Sequence, residues 1–374
     1  MNAQDKDFNS AVINSESREL TNLSVKLREK CALLSSIVHP LTRKSIEDII
    51  RIANAYYSCK NEGHEVSPLE IEKALQGNYS RRKPLRLIQH EAVAYIETEN
   101  EMKEKISGEP GLNICSLEFI SWIHRILFEK LPGEFRKVRN RAGRIIYVIP
   151  GELREEDLTE TGSPFPKAKR LRKLLFRFEK DFNPEQYNLV DKLLAAAEAY
   201  RQFFRIHPFL AGNRMVLRLF IRAYIKASQL NGINLFSFNR AECNNGLNNE
   251  KLNSDEDLSN FTGFFLKTVL NEIEFMIKTL NHNNLIENLN SYTGKLIKSG
   301  ELREESRLIL KSVFLSGELK RGEVLVMTGR PERTARRILG ELIEKKLLVS
   351  GTPKGPVRVN LHLKFALEVF ADLF

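Results

Sequence analysis

Apolar residues along most of this chain recur at three- and four-residue spacings, the period of a helix that buries one face. Residues 20–37 show the pattern and 45–57 repeat it. After a break at Glu62-Gly63 comes SPLEIEKAL, where Ser67 suits an N-cap and Pro68 the first helical position. Residues 86–106 predict a long amphipathic helix closed by Gly108-Glu109-Pro110-Gly111, and 116–128 another with Ser116 as its cap. The period then changes. In PGEFRKVRNRAGRIIYVIP (132–150), the β-branched run from Ile145 to Ile149 beside Ala142-Gly143 predicts a short hairpin. Helices return at 167–182, 185–206 and 212–229. Asn- and Glu-rich sequence at 239–257 reads as loop, 258–280 as helix, and the polar NHNNLIENLNSYTGK as a linker zone.

From about residue 301 the order becomes helix, helix, helix, then strand, turn, strand. RGEVLVMTGRPERTARRILGELIEKKLLVSGTPKGPVRVNL holds a short helix, a Gly329 turn, a longer helix from Pro331 and a Gly/Pro-rich hairpin. That order is the signature of a winged helix-turn-helix, with 331–345 as recognition helix and 350–356 as wing tip. Arg333, Arg336 and Arg337 alternate with Ala335, Ile338, Leu339 and Leu342, so three arginines share the face that would enter a DNA groove. A solvated basic face on a protein-interaction or dimerisation module is the equal alternative.

Composition narrows the class. The chain has 374 residues, 42% hydrophobic and 28% charged, as ordinary soluble domains do. A net charge of +10 favours contact with polyanions, whether nucleic acid or nucleotide phosphates. Cys31, Cys59, Cys115 and Cys243 lie far apart with no CxxC and no clustered histidines, which argues against a zinc site and a disulfide framework and fits a reducing cytoplasm. MNAQDKDFNS shows no signal peptide, and no run of about 18 apolar residues exists to span a membrane. A cytoplasmic location is the expectation, with no membrane partner.

The chemistry concentrates in HPFLAGNRMVLR, residues 207–218. Gly212 and Asn213 stand where a helix begins, its amides unpaired and its dipole positive, so an anion is favoured there. His207 lies just upstream as a base beside that anion, and Phe209 reads as a core anchor. A capping histidine with an ordinary Gly-Asn turn is the bland alternative. Taken with the preceding helix EAYRQFFRIHPF, PGEFR at 132–136 and RIIYVIP between them, the string resembles the Fic (Fido) domain motif, His-Pro-Phe-x-(Asp/Glu)-Gly-Asn-Gly-Arg-x-x-Arg. The resemblance covers roughly residues 50–280. Ser58-Cys59-Lys60-Asn61-Glu62-Gly63 is similar to the inhibitory motif (Ser/Thr)-x-x-x-Glu-(Gly/Asn) that many members carry on a helix ahead of the core.

The resemblance implies a mainly α fold: a Fic-type helical core with a small β-hairpin flap, here followed by the winged helix. It also implies transfer of AMP from ATP, as nucleotide substrate, to a hydroxyl on a target protein. His207 matches the general base. Gly212 and Asn213 match the α-phosphate loop, and Arg218 matches the arginine that holds the γ-phosphate or, in the inhibited state, the inhibitory glutamate, here Glu62. A carboxylate on that arginine displaces the phosphate that needs it. Arg144, Ile145, Ile146, Tyr147 and Val148 match the flap that docks an extended target strand.

Three positions depart from the motif. Ala211 replaces the acid that binds Mg²⁺, leaving the motif no side chain for the metal. Arg214 replaces the second glycine and Met215 the first arginine; an alignment with one residue deleted instead makes Arg214 the displaced arginine, sharing a helix face with Arg218. Arg214 then replaces part of the lost positive charge. The readings that remain are a weak or atypical adenylyltransferase autoinhibited by Glu62, a catalytically impaired relative acting as a DNA- or protein-binding regulator, and a kinase-like phosphoryl transfer, as in relatives with lysine at that glycine. The expected organisation is an N-terminal helical region (1–110), a core (111–285), a linker (286–300) and the winged helix (301–374). A target protein, DNA and a second copy of the chain are the candidate partners.

Overall fold

The computed structural model describes residues 17–139, 143–157, 165–230, 232–245 and 258–374. MNAQDKDFNS, Ala142 of the expected hairpin turn and 246–257 of the expected loop lie outside them. The described residues form two compact units. The first takes those within Met1–Glu29, Asn54–Ile233 and Phe238–Glu272; the second takes Lys30–Ala53, Asn234–Ser237 and Ile273–Phe374.

In the first unit, α7 (Asp191–Ile206) and α8 (Asn213–Ala227) form the centre. Both are buried almost all round, which places them inside the helical core. The run Ala195, Ala196, Ala197 and Ala199 keeps α7 slim enough for neighbours to approach closely. Around the pair pack α4 (Lys83–Gly108), α5 (Leu117–Lys130) and α6 (Leu171–Phe182). Phe203 of α7 stacks on Phe220 of α8 at 5.4 Å between centroids, and Phe178 of α6 tilts against both. Each such fully buried ring contributes about 1.5–3 kcal/mol. The 110/111 boundary expected from sequence does not separate anything here, because α4 packs on α5 and α8 within one unit.

Two helices precede α4, after α1 (Arg18–Ile37). The first, α2 (Pro40–Asn61), is longer than its apolar pattern. It ends where the amides of Glu62 and Gly63 bond back to the carbonyls of Cys59 and Lys60, with Gly63 at φ +81. That left-handed residue stops the helix one position past Glu62. In α3 (Pro68–Leu75), Ser67 and Glu70 form the reciprocal capping box.

The expected hairpin is present as β1 (Lys137–Arg139) and β2 (Ile145–Tyr147), antiparallel with Val138 opposite Ile146. Arg136 of PGEFR donates to the Phe128 and Glu129 carbonyls and so caps the C-terminal end of α5. Two expectations for loops fail. Phe238–Asn245 is a helix, α9. The linker zone also is not a linker: after α10 (Leu258–Leu280) comes α11 (His282–Lys298), capped by Asn281 and burying Leu285, Leu289 and Thr293. Those three positions are spaced four apart and make one buried stripe that the many asparagines conceal.

In the second unit α11 packs on α12 (Glu305–Ser316). A bridge at Leu319 to Val357 follows, then α13 (Arg321–Thr328), α14 (Glu332–Glu344), β3 (Leu348–Ser350) and its antiparallel partner β4 (Val357–Val359). Ala335, Ile338, Leu339 and Leu342 of α14 are buried as the spacing requires. A last helix, α15 (Leu363–Val369), packs on α11.

One buried acid in the first unit gives a stability test. Glu198 of α7 accepts a hydrogen bond from the Thr262 hydroxyl of α10, and burial pushes its carboxyl up to about 7. A carboxyl raised in the folded state takes up a proton on folding, so stability falls as pH rises from the unfolded value through about 7. Glu198→Gln keeps the acceptor and removes the titration. Its melting temperature should exceed that of the unsubstituted protein at pH 8 and converge with it near pH 4.5, as scanning calorimetry at the two pH values would show.

Candidate functional site

The loop HPFLAGN joins α7 to α8 and is built to hold one shape. His207 takes the left-handed conformation (φ 47, ψ 63) as the C-cap of α7, its amide bonded to the Phe203 carbonyl at 3.1 Å. For a residue with a Cβ that conformation costs about 1–2 kcal/mol. Arg154 supports it from outside the motif. Its amide donates to the Pro208 carbonyl at 3.0 Å and its Nε to the His207 carbonyl at 2.9 Å, while its other nitrogens bond to the carbonyls of Glu156 and Pro166. Phe209 is fully buried and stacks on His124 at 3.9 Å, rings nearly parallel. His124 Nδ1 accepts the Gly151 amide at 2.8 Å, and burial drives the imidazole down to about 3, so it stays neutral.

Gly212 is required on two counts. It sits at φ +75, and a Cβ there would stand 2.3 Å from Cε2 of Phe128. Asn213, the first residue of α8, closes the loop: its Oδ1 accepts the Phe209 amide at 2.9 Å and its Nδ2 donates to the Phe209 carbonyl at 2.8 Å. Both ends of this side chain serve the loop itself, so what Asn213 offers an anion is its backbone amide at the helix start.

The His207 ring lies against Phe165 at 4.0 Å and edge-on to Phe204. Burial lowers its pKa to about 4, with the positive charges of Arg154 and Arg214 adding to the effect. The imidazole is therefore neutral at physiological pH, the state that can accept a proton.

Beyond the loop, α8 carries Arg214, Arg218 and Arg222 four residues apart, a single stripe along the helix. Each meets a carboxylate. Arg218 is fully buried; its Nη1 donates to Glu62 Oε1 at 2.8 Å and to the Ser58 hydroxyl at 3.2 Å, and its Nε donates to Glu242 Oε2 at 2.8 Å. Arg214 Nη2 reaches Glu242 Oε1 at 3.2 Å, and Arg222 Nη2 reaches Glu99 Oε1 at 2.9 Å. Burial opposes the Arg218 charge, yet Glu242 and Glu62 more than reverse this and raise its pKa. Thus Glu62, Arg214 and Arg218, singled out from sequence, do converge. Glu242 was missed, since it lies in sequence read as loop. Arg154 was missed too: nothing marks one arginine after a hairpin as buried.

Ala211 brings no side-chain oxygen to the loop, and among the described residues no group of three His, Cys, Asp or Glu could hold a metal ion. A cavity of about 490 Å³ lined by Trp122, Arg125, Gly151 and Arg172 includes none of the motif residues. On the hairpin, Arg144 is exposed, Ile145 and Tyr147 (49% and 63% exposed) share the open face of β2, Ile146 is half-buried and Val148 is buried. In the second unit, Arg333, Arg336 and Arg337 are exposed on α14. Arg336 pairs with Glu332 of the same helix, and Arg337 approaches Glu341 at 3.9 Å.

Residues 114–225 match the Fic/DOC family. Among solved structures, a Fic family protein from Desulfovibrio desulfuricans G20 is 14% identical with a TM-score of 0.54, the match covering 92% of this chain and 97% of that one. Fic-1 from C. elegans is also 14% identical with a TM-score of 0.53, over 72% of this chain and 74% of its own. At such identity the likeness is one of fold. No curated protein matches the sequence.

Arg154 gives the site its own test. Replacing it with methionine removes one of the charges that depress His207, so the His207 pKa should rise from about 4 toward the ordinary imidazole value. Following the imidazole protons by NMR against pH would read this directly, and an unmoved titration would refute the assignment.

Proposed function

Given a Fic/DOC family domain at residues 114–225, we propose that the protein transfers AMP from ATP to a hydroxyl of a target protein, in a weak or atypical form, and that Glu62 holds this activity in check. The observation that carries the reading is the 2.8 Å pair between Glu62 and the fully buried Arg218, one helical face beyond a phosphate-type loop. Of the two carboxylates on that arginine, Glu62 is the more exposed, and it comes from the turn after α2 rather than from a helix. Its presence there is what competition for an outer phosphate calls for.

The steps follow from the residues. Neutral His207 takes the proton of the target hydroxyl; the freed oxygen attacks the α-phosphorus of ATP, and the bond to pyrophosphate breaks. The amides at Gly212 and Asn213 face the charge that develops on the α-phosphate oxygens. Arg218, once Glu62 leaves, steadies the departing phosphates. The exposed edge of β2 suits alignment of an extended target segment. With His207 depressed to about 4 it is a weak base, which fits a slow transfer.

Calorimetric titration of ATP should show binding that appears or tightens by about tenfold or more in Glu62→Gly, since one buried charged contact is released. In that background His207→Ala should abolish labelling of protein by α-phosphate-labelled ATP while leaving ATP binding in place. Full labelling by the His207→Ala protein would sink the catalytic assignment.

A second reading, of a DNA- or protein-binding regulator, draws on the second unit. The order α12, the Leu319 bridge, α13, α14, β3, β4 supports a winged helix-turn-helix with α14 as recognition helix. The three exposed arginines share that helix with Glu332, Glu341 and Glu344, which cancel their charge. DNA binding, if it is the function, should weaken steeply with salt, survive His207→Ala, and vanish when Arg333, Arg336 and Arg337 are all replaced by alanine.

A further inference from the structure

The carboxylate of Glu242 stands where a ligand's anion would be expected. Its Oε2 accepts from Arg218 Nε at 2.8 Å and from Asn61 Nδ2 at 3.3 Å, and its Oε1 accepts from Arg214 Nη2 at 3.2 Å. A buried anion held by two guanidinium groups and an amide has the donor set of a bound phosphate. Glu242 and Glu62 share Arg218 but differ in how they are held. Glu62 lies past the end of α2, 26% exposed beside a left-handed glycine, whereas the Glu242 side chain is 3% exposed and rises from α9. Withdrawing Glu62 leaves Arg218 Nη1 with the Ser58 hydroxyl and opens the position the carboxylate held. Withdrawing Glu242 would strand Arg214, Arg218 and Asn61 together.

We propose that Glu242 is a resident substitute for a phosphate and a specificity-determining residue: it fills the inner half of the Arg214–Arg218 clamp and leaves one slot, the one Glu62 vacates, for a single terminal phosphate group. The proposal rests on the nucleotide-binding reading of the site. With Glu62 gone, Arg214 and Arg218 against Glu242 leave one positive charge. A second outer phosphate would have to lie against the Glu242 carboxylate in a poorly solvated pocket, where like charges repel strongly. Ala211 brings no acid to recruit a metal that would offset it. Nucleoside diphosphates and triphosphates are therefore held alike.

Calorimetric titrations of ADP and of ATP into Glu62→Gly and into Glu62→Gly/Glu242→Gln test this. The single variant should bind the two nucleotides with similar affinity. In the double variant ATP should gain about tenfold or more over ADP, because Arg214 and Arg218 Nε become available to a further phosphate. ATP already favoured by that margin in the single variant, or a ratio unmoved by Glu242→Gln, would overturn the proposal. If Glu242→Gln does not fold, Glu62→Gly/Glu242→Asp carries the test. The shorter side chain draws the carboxylate back from the clamp, so the ATP-to-ADP ratio should rise in the same direction, and an unmoved ratio would refute the proposal. Absence of binding by either nucleotide to every variant with an intact melting transition would bring down the nucleotide reading itself, and this inference with it.

Discussion

A guanidinium taken wholly out of water must be matched by negative charge from the chain itself, and the central unit of this protein is arranged around that requirement at Arg218. Two carboxylates answer it, one from the turn after α2 and one from α9. Leaving such a buried charge with a partner missing costs about 3–5 kcal/mol, so each pairing pins its segment. The same logic continues one turn along α8, where Arg222 holds Glu99 of α4, and again where Arg240 of α9 holds Glu272 of α10 at 2.6 Å. Segments far apart in sequence are thereby tied to one another by charge as well as by apolar packing. A ligand that takes the place of Glu62 on Arg218 exchanges one charged contact for another rather than adding one.

The second constraint is the shape of the loop. His207 is held in a left-handed turn by hydrogen bonds to its own carbonyl and to that of its neighbour, both from Arg154. Phe165 and Phe204 flank the ring, so its orientation is set by packing. Burial keeps the imidazole neutral and the arginine that stabilises the backbone adds its charge to that effect, which couples the geometry of the base to its proton affinity.

Much of this was legible in the sequence because the physics is local. Ser67 and Glu70 form their capping box, the β-branched run pairs as a hairpin, and Gly212-Asn213 opens a helix as spacing and turn chemistry dictate. What escaped notice depends on distant partners or on a disguised pattern. Glu242 lies in a short helix whose asparagines read as loop, and only Arg214, Arg218 and Asn61, distant in sequence, give it meaning. The stretch taken for a linker contains as much asparagine as a loop would, but Leu285, Leu289 and Thr293 recur every fourth residue and Asn281 starts the helix by capping it. Polar composition there was weighed above periodicity, and periodicity decided the structure.

The ring closed by the Asn213 side chain on the Phe209 backbone has a consequence for how this site can change over generations. Loop shape is maintained by Phe209, Gly212 and Asn213 acting on one another and on Phe128 and His124, with no ligand, metal or substrate involved. The side chains at 211, 214 and 215 take no part in the hydrogen bonds of that closure. Folding and chemistry are thus written on separate residues of the same dozen, and the chemical letters can be exchanged while the scaffold letters keep the turn intact. A loop of this construction can serve as a stable platform on which new ligand preferences are tried without first being unfolded.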